Sequence, residues 1–308
     1  MRVRTPADWI LLPIALMTMP LSPLAAADTT PAARPDPVLQ ERLQTLAERF
    51  DGDAGFYVRN LRDGREAAWR ADELFPTASM VKVAILGKVC ADLDAGRLKW
   101  GDELTYDPAR INYEAGDDLL AKFRPGEKLS LDHLVALMLS FSDNNASLWL
   151  QDLAGGGTAI NDWLAEKGFK ETRVNSRTAG RGADRTKLGW GQTTPREMAE
   201  LMVRLTRGEL TSAPTADRAH RMLGRSFYGD EALSAIPATV QVASKQGSVD
   251  RSRSEVMLVH APGGDYVFCL ITKNQRDERY RPDNAGHVLL REASRIVWEQ
   301  FGAAVPAR

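Results

Sequence analysis

Residues 77–91, TASMVKVAILGKVCA, place a serine at the start of an apolar helix. Ser79 and Lys82 lie at positions i and i+3, so their side chains share one helix face and can come within hydrogen-bond distance. The valine, isoleucine, leucine and alanine side chains that follow predict a buried helix. Burial favours the neutral form of a lysine amine, which can then take a proton from a serine hydroxyl. The spacing therefore predicts a nucleophile beside its base.

A single S-x-x-K segment is a weak signal, because Ser79 could cap a helix and Lys82 could be a surface lysine. Two further segments strengthen the catalytic interpretation. Ser142-Asp143-Asn144 falls at a junction between two predicted helices, and Lys245-Gln246-Gly247-Ser248 follows a strand predicted at 239–243. Each segment alone is explained by a helix cap or a solvated edge lysine, but all three together are not.

The composition excludes several classes of protein. The 308 residues carry 44% hydrophobic and 26% charged residues, with a formal net charge of -1, as expected for a folded protein of one domain or two lobes. No block of like charge is present, so we expect no nucleic-acid partner. A small-molecule or peptide-like substrate is the partner that this composition favours.

The N-terminus has the pattern of an export signal at 1–27. Arg2 and Arg4 precede an apolar run at 9–21, and Ala25-Ala26-Ala27 resembles a cleavage site. The run is short and contains two prolines, which argues against a membrane anchor. We therefore expect an exported protein, periplasmic or secreted, with no membrane attachment after cleavage.

Hydrophobic periodicity predicts an α+β fold. Alternation favours strands near both ends of the chain, and helical spacing dominates the middle. We predict an antiparallel β-sheet flanked by N- and C-terminal helices, with an inserted all-helical lobe. The predicted sheet lobe comprises 28–75 and 226–308, and the helical lobe comprises 76–225. The segment 171–193 carries four glycines and is predicted to be a long loop.

The cysteines and histidines give weaker signals. Cys90 and Cys269 both lie in apolar surroundings, where either a disulfide or two separate buried thiols is possible. The four histidines show no metal-ligand spacing. We therefore predict no metal and no cofactor.

Three motifs in order carry a family resemblance. Ser79-x-x-Lys82, Ser142-Asp143-Asn144 and Lys245-x-Gly247 have the order and approximate spacing of the serine penicillin-recognising enzymes. The chain resembles a class A β-lactamase from about residue 38 to 302. The resemblance implies a β-lactamase/transpeptidase-like fold and an acyl-enzyme formed on a serine.

The resemblance assigns the chemical steps to three residues. Ser79 would attack the acyl carbon, and Lys82 would help to remove its proton. Ser142, held between Lys82 and Lys245, would relay a proton to the leaving nitrogen. These are the expected catalytic residues.

The substrate-binding roles follow from the same resemblance. Asn144 would bind a substrate side-chain amide, and Lys245 would bind the substrate carboxylate. Gly247 would let the substrate lie along the strand edge, and the backbone N–H of Ser248 would complete an oxyanion hole with that of Ser79. Arg251 and Arg253 follow closely and are candidates to contact an anionic substrate.

The chain departs from the family pattern at two places. Class A β-lactamases carry a glutamate and an asparagine that position the deacylating water, and Ala179 and Ala183 stand at the expected places here. The only acid between Thr172 and Pro195 is Asp184, which is a possible substitute. Gln246 replaces the usual threonine or serine and removes a hydroxyl that would touch the substrate carboxylate.

These observations lead to three hypotheses. The first is an exported serine acyl-hydrolase that opens β-lactam rings through an acyl-enzyme on Ser79. The second is a penicillin-binding or sensor protein that is acylated but deacylates slowly. The third is a hydrolase or transferase for another peptide-like or ester substrate. A monomer is favoured, although the sequence does not fix the oligomeric state.

Overall fold

The computed structural model describes residues 31–111 and 118–303. Within these ranges the helices are α1 Pro37–Glu48, α2 Val81–Asp94, α3 Pro108–Ile111, α4 Leu131–Ser140, α5 Asn144–Leu153, α6 Gly156–Glu166, α7 Gly182–Leu188, α8 Pro195–Thr206, α9 Ala213–Leu223 and α10 Ala285–Phe301. The strands are β1 Arg34–Pro35, β2 Asp53–Asn60, β3 Arg65–Trp69, β4 Phe75–Pro76, β5 Glu103–Thr105, β6 Lys128–Ser130, β7 Arg173–Val174, β8 Gly191–Thr193, β9 Val242–Val249, β10 Ser252–Val259 and β11 Tyr266–Lys273. The predicted export signal at 1–27 lies outside the described residues.

The main sheet has the strand order β1-β3-β2-β11-β10-β9. Its long strands pair antiparallel, with Val256 of β10 opposite both Lys245 of β9 and Cys269 of β11, and only the short β1 pairs in parallel. Strand β9 forms one edge of the sheet. The α+β prediction, with helices before and after the sheet strands and more helices inserted between them, is confirmed.

The two faces of the sheet pack against different cores. Side chains alternate along a strand, so Val256 and Leu258 of β10 join a core with α2, α4, α5, α6 and α8, whereas Met257 and Val259 join a core with α1 and α10. Because both faces are covered, β10 is buried along its whole length. This double burial explains the continuous apolar runs at 256–259 of β10 and 266–271 of β11.

Helix α8 illustrates how local sequence sets an element boundary. The Thr194 hydroxyl accepts a hydrogen bond from the Glu197 N–H at 3.1 Å, and Pro195 occupies the first turn. A threonine cap followed by proline is a strong helix start, because both satisfy or remove backbone donors that have no helical partner. The helix begins where the sequence predicts.

The sequence predictions for the third motif and for the segment 171–193 were wrong. The third motif does not follow a strand at 239–243, because β9 spans Val242–Val249 and contains the motif within it. The segment 171–193 is not one long loop, since it contains β7, α7 and β8. Strand β8 pairs with both β4 and β7, and these pairings tie the segment to the start of the Ser79 region.

The two cysteines are separate buried thiols. Cys90 lies on α2 and Cys269 on β11, and both are free. Burial raises the pKa of each thiol above its ordinary value.

None of the helices in the described part of the chain has the length and apolar character needed to cross a bilayer.

Candidate active site

Ser79 lies in a tight turn, not in the helix that the sequence predicts for it. A 3-10 turn spans Ala78–Met80, and α2 begins at Val81. Ala78 has a φ of 44°, in the left-handed region that alanine rarely adopts. On one side of Ser79 the turn leads directly into the buried helix α2, and on the other side the Thr77 N–H donates to the Gly191 carbonyl at 3.0 Å. The Ser79 backbone is therefore held on both sides. Strained backbone of this kind is concentrated at functional sites.

The amine of Lys82 is the centre of a buried polar cluster. Its Nζ lies 3.2 Å from Ser79 Oγ, 2.9 Å from Ser142 Oγ and 2.9 Å from Asn144 Oδ1, and it also contacts the Ser142 carbonyl. The residue is completely buried. Burial, and then the nearby charge of Lys245, hold the Lys82 pKa well below its ordinary value. A neutral amine at this position can accept the Ser79 proton.

Lys245 approaches the same serine from the sheet. Its Nζ lies 3.1 Å from Ser142 Oγ and 3.1 Å from the Gln246 carbonyl, and it also donates to Gln246 Oε1. Burial lowers the pKa of Lys245 to about 7. The Ser142 hydroxyl therefore bridges two amines, Lys82 and Lys245. A hydroxyl in this position can pass a proton from one side of the site to the other.

The second motif is shaped by its helix cap. Asp143 caps α5 by accepting a hydrogen bond from the Ala146 N–H at 2.8 Å, and its other oxygen accepts from the Leu120 N–H at 2.8 Å. Ser142 precedes the cap with a φ of 55°. This turn points the Ser142 hydroxyl and the Asn144 amide oxygen at Lys82. The aspartate of the motif thus fixes the backbone that positions its neighbours.

Gly247 permits close contact between β9 and the Ser79 turn. A Cβ atom at Gly247 would lie 2.6 Å from the Thr77 carbonyl oxygen and 2.9 Å from the Ser79 nitrogen. No side chain fits at these distances. The glycine therefore lets the edge strand approach the serine, and Ser248 follows immediately on that edge.

Two cavities meet at Ser79. The larger, about 860 Å³, is lined by Asn144, Ser248 and Arg251, together with residues 187–190 and the pair Glu73 and Lys273. The second, about 600 Å³, extends on the Ser142 side. Its walls combine aromatic and charged side chains, namely Phe141, Phe227, Tyr228, Tyr280, Asp118, Asp230, Glu231, Arg281 and His287. A substrate bound to Ser79 can extend into both cavities.

The segment 171–193 brings no carboxylate to either cavity. Ala179 and Ala183 are exposed, and Asp184 forms an ion pair with Arg181 at 3.2 Å; none of the three lines the cavities. The described residues of this segment that reach the larger cavity are Lys187, Leu188, Gly189 and Trp190. The segment therefore contributes an apolar side chain, that of Leu188, to the wall of the cleft.

The two candidate arginines have different surroundings. Arg251 lines the larger cavity and donates to the Gln275 carbonyl at 3.2 Å. Arg253 is completely buried, donates to the carbonyls of Ser252 and Arg279 at 2.9 Å each, and stacks 4.7 Å from the Tyr280 ring centre. Both terminal nitrogens of its guanidinium therefore donate to backbone carbonyls. Arg251 is the better placed of the two to contact a ligand.

The sequence did not predict three residues that line the second cavity, namely Asp118, Glu231 and His287. Asp118 accepts hydrogen bonds from the Asn144 N–H at 3.2 Å and from the Asn145 amide at 3.1 Å, and burial raises its pKa. Glu231 and His287 line the second cavity and lie 3.5 Å apart. None of the three belongs to a motif, and no sequence pattern indicates that they line a cavity that Ser79 also lines. No group of three or more histidine, cysteine or acidic side chains in the described ranges could hold a metal ion.

The comparison with family models agrees with this geometry. The model described as the Beta-lactamase enzyme family matches residues 37–301, which is most of the chain. The chain belongs to the beta-lactamase enzyme family. Membership and the fold together support a serine β-lactamase-like function.

A curated protein and two solved structures are similar to this chain along most of its length. A beta-lactamase from Streptomyces fradiae is 29% identical over 279 residues, covering 85% of each chain. The solved structure of PBP-A is 29% identical, with a TM-score of 0.78 over 89% of this chain and 99% of PBP-A. A point mutant of PBP-A, solved as an acyl-enzyme complex with penicillin-G, gives 28% identity and a TM-score of 0.77 over 88% of this chain and 98% of its own. The proteins similar to this chain thus include a beta-lactamase and PBP-A.

Proposed function

We propose that this protein opens β-lactam rings in the manner of a class A β-lactamase, through an acyl-enzyme on Ser79 that is hydrolysed slowly. The observation that carries the proposal is the Lys82 amine, which is buried and lies 3.2 Å from Ser79 Oγ. A nucleophile and a neutral base at hydrogen-bond distance are the minimum that acyl transfer requires.

The acylation step can be followed atom by atom. Ser79 Oγ forms a bond to the lactam carbonyl carbon while its proton moves to Lys82. The carbon–nitrogen bond of the ring breaks, and the nitrogen receives a proton through the Ser142 hydroxyl, which contacts both Lys82 and Lys245. The product is an ester of Ser79 with the ring opened. Its formation releases no fragment, so the protein gains the mass of the whole lactam.

The second step, hydrolysis of the ester, has less support. A water molecule needs a base, and the segment 171–193 supplies no carboxylate to the described cavities. The acids of the second cavity lie on its Ser142 side, namely Asp118, Asp143, Asp230 and Glu231. Glu73, the only carboxylate on the wall of the larger cavity as described, pairs with Arg70 and Lys273, and the Arg70 hydrogen bond lowers its pKa to about 2. Such a carboxylate is a poor base. This favours slow turnover, and it also supports the second candidate, a penicillin-binding or sensor protein.

Intact-mass measurement after mixing with penicillin G tests the proposal. We expect an adduct equal to the mass of one penicillin G that persists for many minutes in the wild type and then returns to free protein with opened lactam. An adduct that does not decay would favour the second candidate, a penicillin-binding or sensor protein. The variant Ser79→Ala should form none. Rapid return to free protein with opened lactam would identify an efficient β-lactamase, and absence of any adduct in a folded wild type would favour a different peptide-like or ester substrate.

Three further features belong to this proposal. We propose that residues 1–27 are an export signal, which N-terminal sequencing of the protein from a bacterial periplasm or culture medium would test. We also propose that the cleft separates a sheet lobe, 28–75 and 226–308, from a helical lobe, 76–225. The proposed residue roles are catalysis by Ser79, Lys82 and Ser142, and substrate binding by Asn144, Lys245, Gly247 and Ser248.

A further inference from the structure

Two histidines away from Ser79 face each other beside a small cavity. His220 lies on α9, and His260 directly follows β10. Their Nε2 atoms are 3.2 Å apart, and both side chains line a cavity of about 270 Å³ together with Asp217 and Gln241. None of these four residues lines either cavity at Ser79. Forty residues separate His220 from His260, so sequence spacing does not indicate this histidine pair.

A carboxylate fixes the proton of His260 on the nitrogen that does not face His220. Asp265 Oδ2 lies 3.0 Å from His260 Nδ1. Burial opposes ionisation of Asp265, but the hydrogen bond from His260 outweighs it, and the Asp265 pKa is lowered. An ionised carboxylate can only accept, so Nδ1 carries the proton and Nε2 of the neutral ring keeps its lone pair. A carboxylate behind the ring is the usual support of an imidazole that binds a metal.

The His220 ring can supply a second lone pair. Burial, and then the charge of His260, lower the His220 pKa, so the ring is neutral near pH 7, as metal binding requires. In the metal-free protein His220 Nε2 donates its proton to the lone pair of His260 Nε2. Transfer of that proton to His220 Nδ1 frees the second lone pair without any change in charge.

The separation of the two nitrogens fits a single metal ion. Zinc–nitrogen bonds are about 2.0 to 2.1 Å long and the coordination is tetrahedral, so two nitrogens on one zinc lie about 3.3 Å apart. The 3.2 Å between the Nε2 atoms matches this separation. The ring centres are only 4.9 Å apart, so the rings meet at an angle and not end to end. Both lone pairs can therefore be directed at one point beside the nitrogens.

The charges around the histidine pair do not oppose a cation. Asp217 pairs with Arg221, and Asp265 lies 4.0 Å from the guanidinium of Arg207. The two arginine charges are thus matched by two carboxylates. The cavity also reaches Thr206 at the C-terminal end of α8, where the helix dipole favours positive charge.

We propose that His220 and His260 bind one divalent transition-metal ion of the zinc, nickel and copper class, with Asp265 as a positioning residue. Water completes the coordination, because no third histidine, cysteine or acidic ligand joins the pair within the part of the chain that the structure describes. The ion ties α9 to the end of β10 and stabilises the folded protein. The proposal does not depend on the proposed function.

Calorimetric titration of the metal-stripped protein with zinc chloride at neutral pH tests the site. We expect one zinc ion per chain in the wild type. His220→Gln and His260→Gln should each weaken binding by more than about a hundredfold, because loss of an outer-shell partner alone can cost that much. The His260 side chain is 34% exposed, so its variant disturbs the core least. Asp265→Asn keeps an acceptor for Nδ1 but loses the charge, and should weaken binding by about tenfold.

A control variant and a second measurement separate this site from zinc bound elsewhere. His133→Gln removes an exposed histidine of α4 and should bind zinc as the wild type does. Saturating zinc should raise the urea midpoint of the wild type and of His133→Gln, but not that of His260→Gln, since only a folded protein with both ligands gains from the ion.

Three results would overturn the inference. One is a folded wild type that binds no zinc at millimolar concentration. Another is zinc binding that persists unchanged in His220→Gln and His260→Gln, or that falls as far in His133→Gln. The third is a zinc-induced rise of the urea midpoint that remains in His260→Gln.

Discussion

The cluster around Lys82 and the segment 171–193 border the same cleft but differ in construction. In the cluster, Lys82 and Lys245 are buried, and each of these amines has several hydrogen-bond partners. Many residues of the segment are exposed to solvent, and the Leu188 side chain lines the cleft. Polar groups converge on Ser79, whereas the segment 171–193 contributes the apolar side chain of Leu188 and no carboxylate to the cleft. We infer that the protein supports acylation of Ser79 better than hydrolysis of the resulting ester.

The largest effect is expected from removing the base. Lys82→Ala should slow acylation by penicillin G at least a hundredfold, in line with general-base contributions of about 10² to 10⁴. Stopped-flow or quenched mass measurements would give the rate. Lys88→Ala, on the same helix and paired with Asp92 rather than with the site, should acylate at a nearly normal rate. A normal acylation rate in Lys82→Ala would show that Lys82 is not the base.

A carboxylate introduced on the segment 171–193 should speed hydrolysis of the acyl-enzyme. Leu188→Glu brings an acid to the wall of the larger cavity, and we expect it to speed release of the penicillin G adduct by about a hundredfold. Ala183→Glu is the matched control, because it adds the same charge at an exposed position of α7 that lines neither cavity. Equal release rates in the two variants would show that position 188 is not where the water is activated.

The pH dependence of acylation should sharpen the description of the cluster. The Lys245 pKa lies at about 7, so the amine is charged below that pH and neutral above it. Acylation by penicillin G should therefore weaken as pH rises through 7, by up to about tenfold per unit, because the carboxylate loses its cationic partner. The methyl ester of penicillin G should show a weaker fall. Parallel profiles for acid and ester would exclude Lys245 as the carboxylate partner.

The smallest effect concerns packing between the sheet edge and the serine turn. Gly247→Ala should destabilise the protein by about 1 to 3 kcal/mol, because its Cβ would lie 2.6 Å from the Thr77 carbonyl oxygen. Gly101→Ala, which meets no atom within 4 Å, serves as control. Urea unfolding of both variants gives the comparison. Equal stabilities would mean that β9 can move away from the turn without cost.

Hydrophobic periodicity predicted the fold class, and the family resemblance predicted that the three motifs share one site. Each motif also has a local signal. A serine and a lysine three residues apart, or a threonine before a proline, constrain the backbone within one turn. The position of the third motif inside β9 was missed, since Lys245 and Gln246 resemble loop residues when the neighbouring strand and turn are unknown. Glu231 and His287 could not be found at all, because their proximity depends on tertiary contacts between distant segments.

The free thiols at Cys90 and Cys269 make this protein convenient for labelling. Both are buried with raised pKa values, and the chain has no other cysteine, so neither should react with a maleimide in the native state. A cysteine introduced on the exposed face of α7, such as Ala183→Cys, would then be the single reactive site. A fluorophore attached there could report in real time whether the region beside Leu188 moves when a lactam enters and leaves.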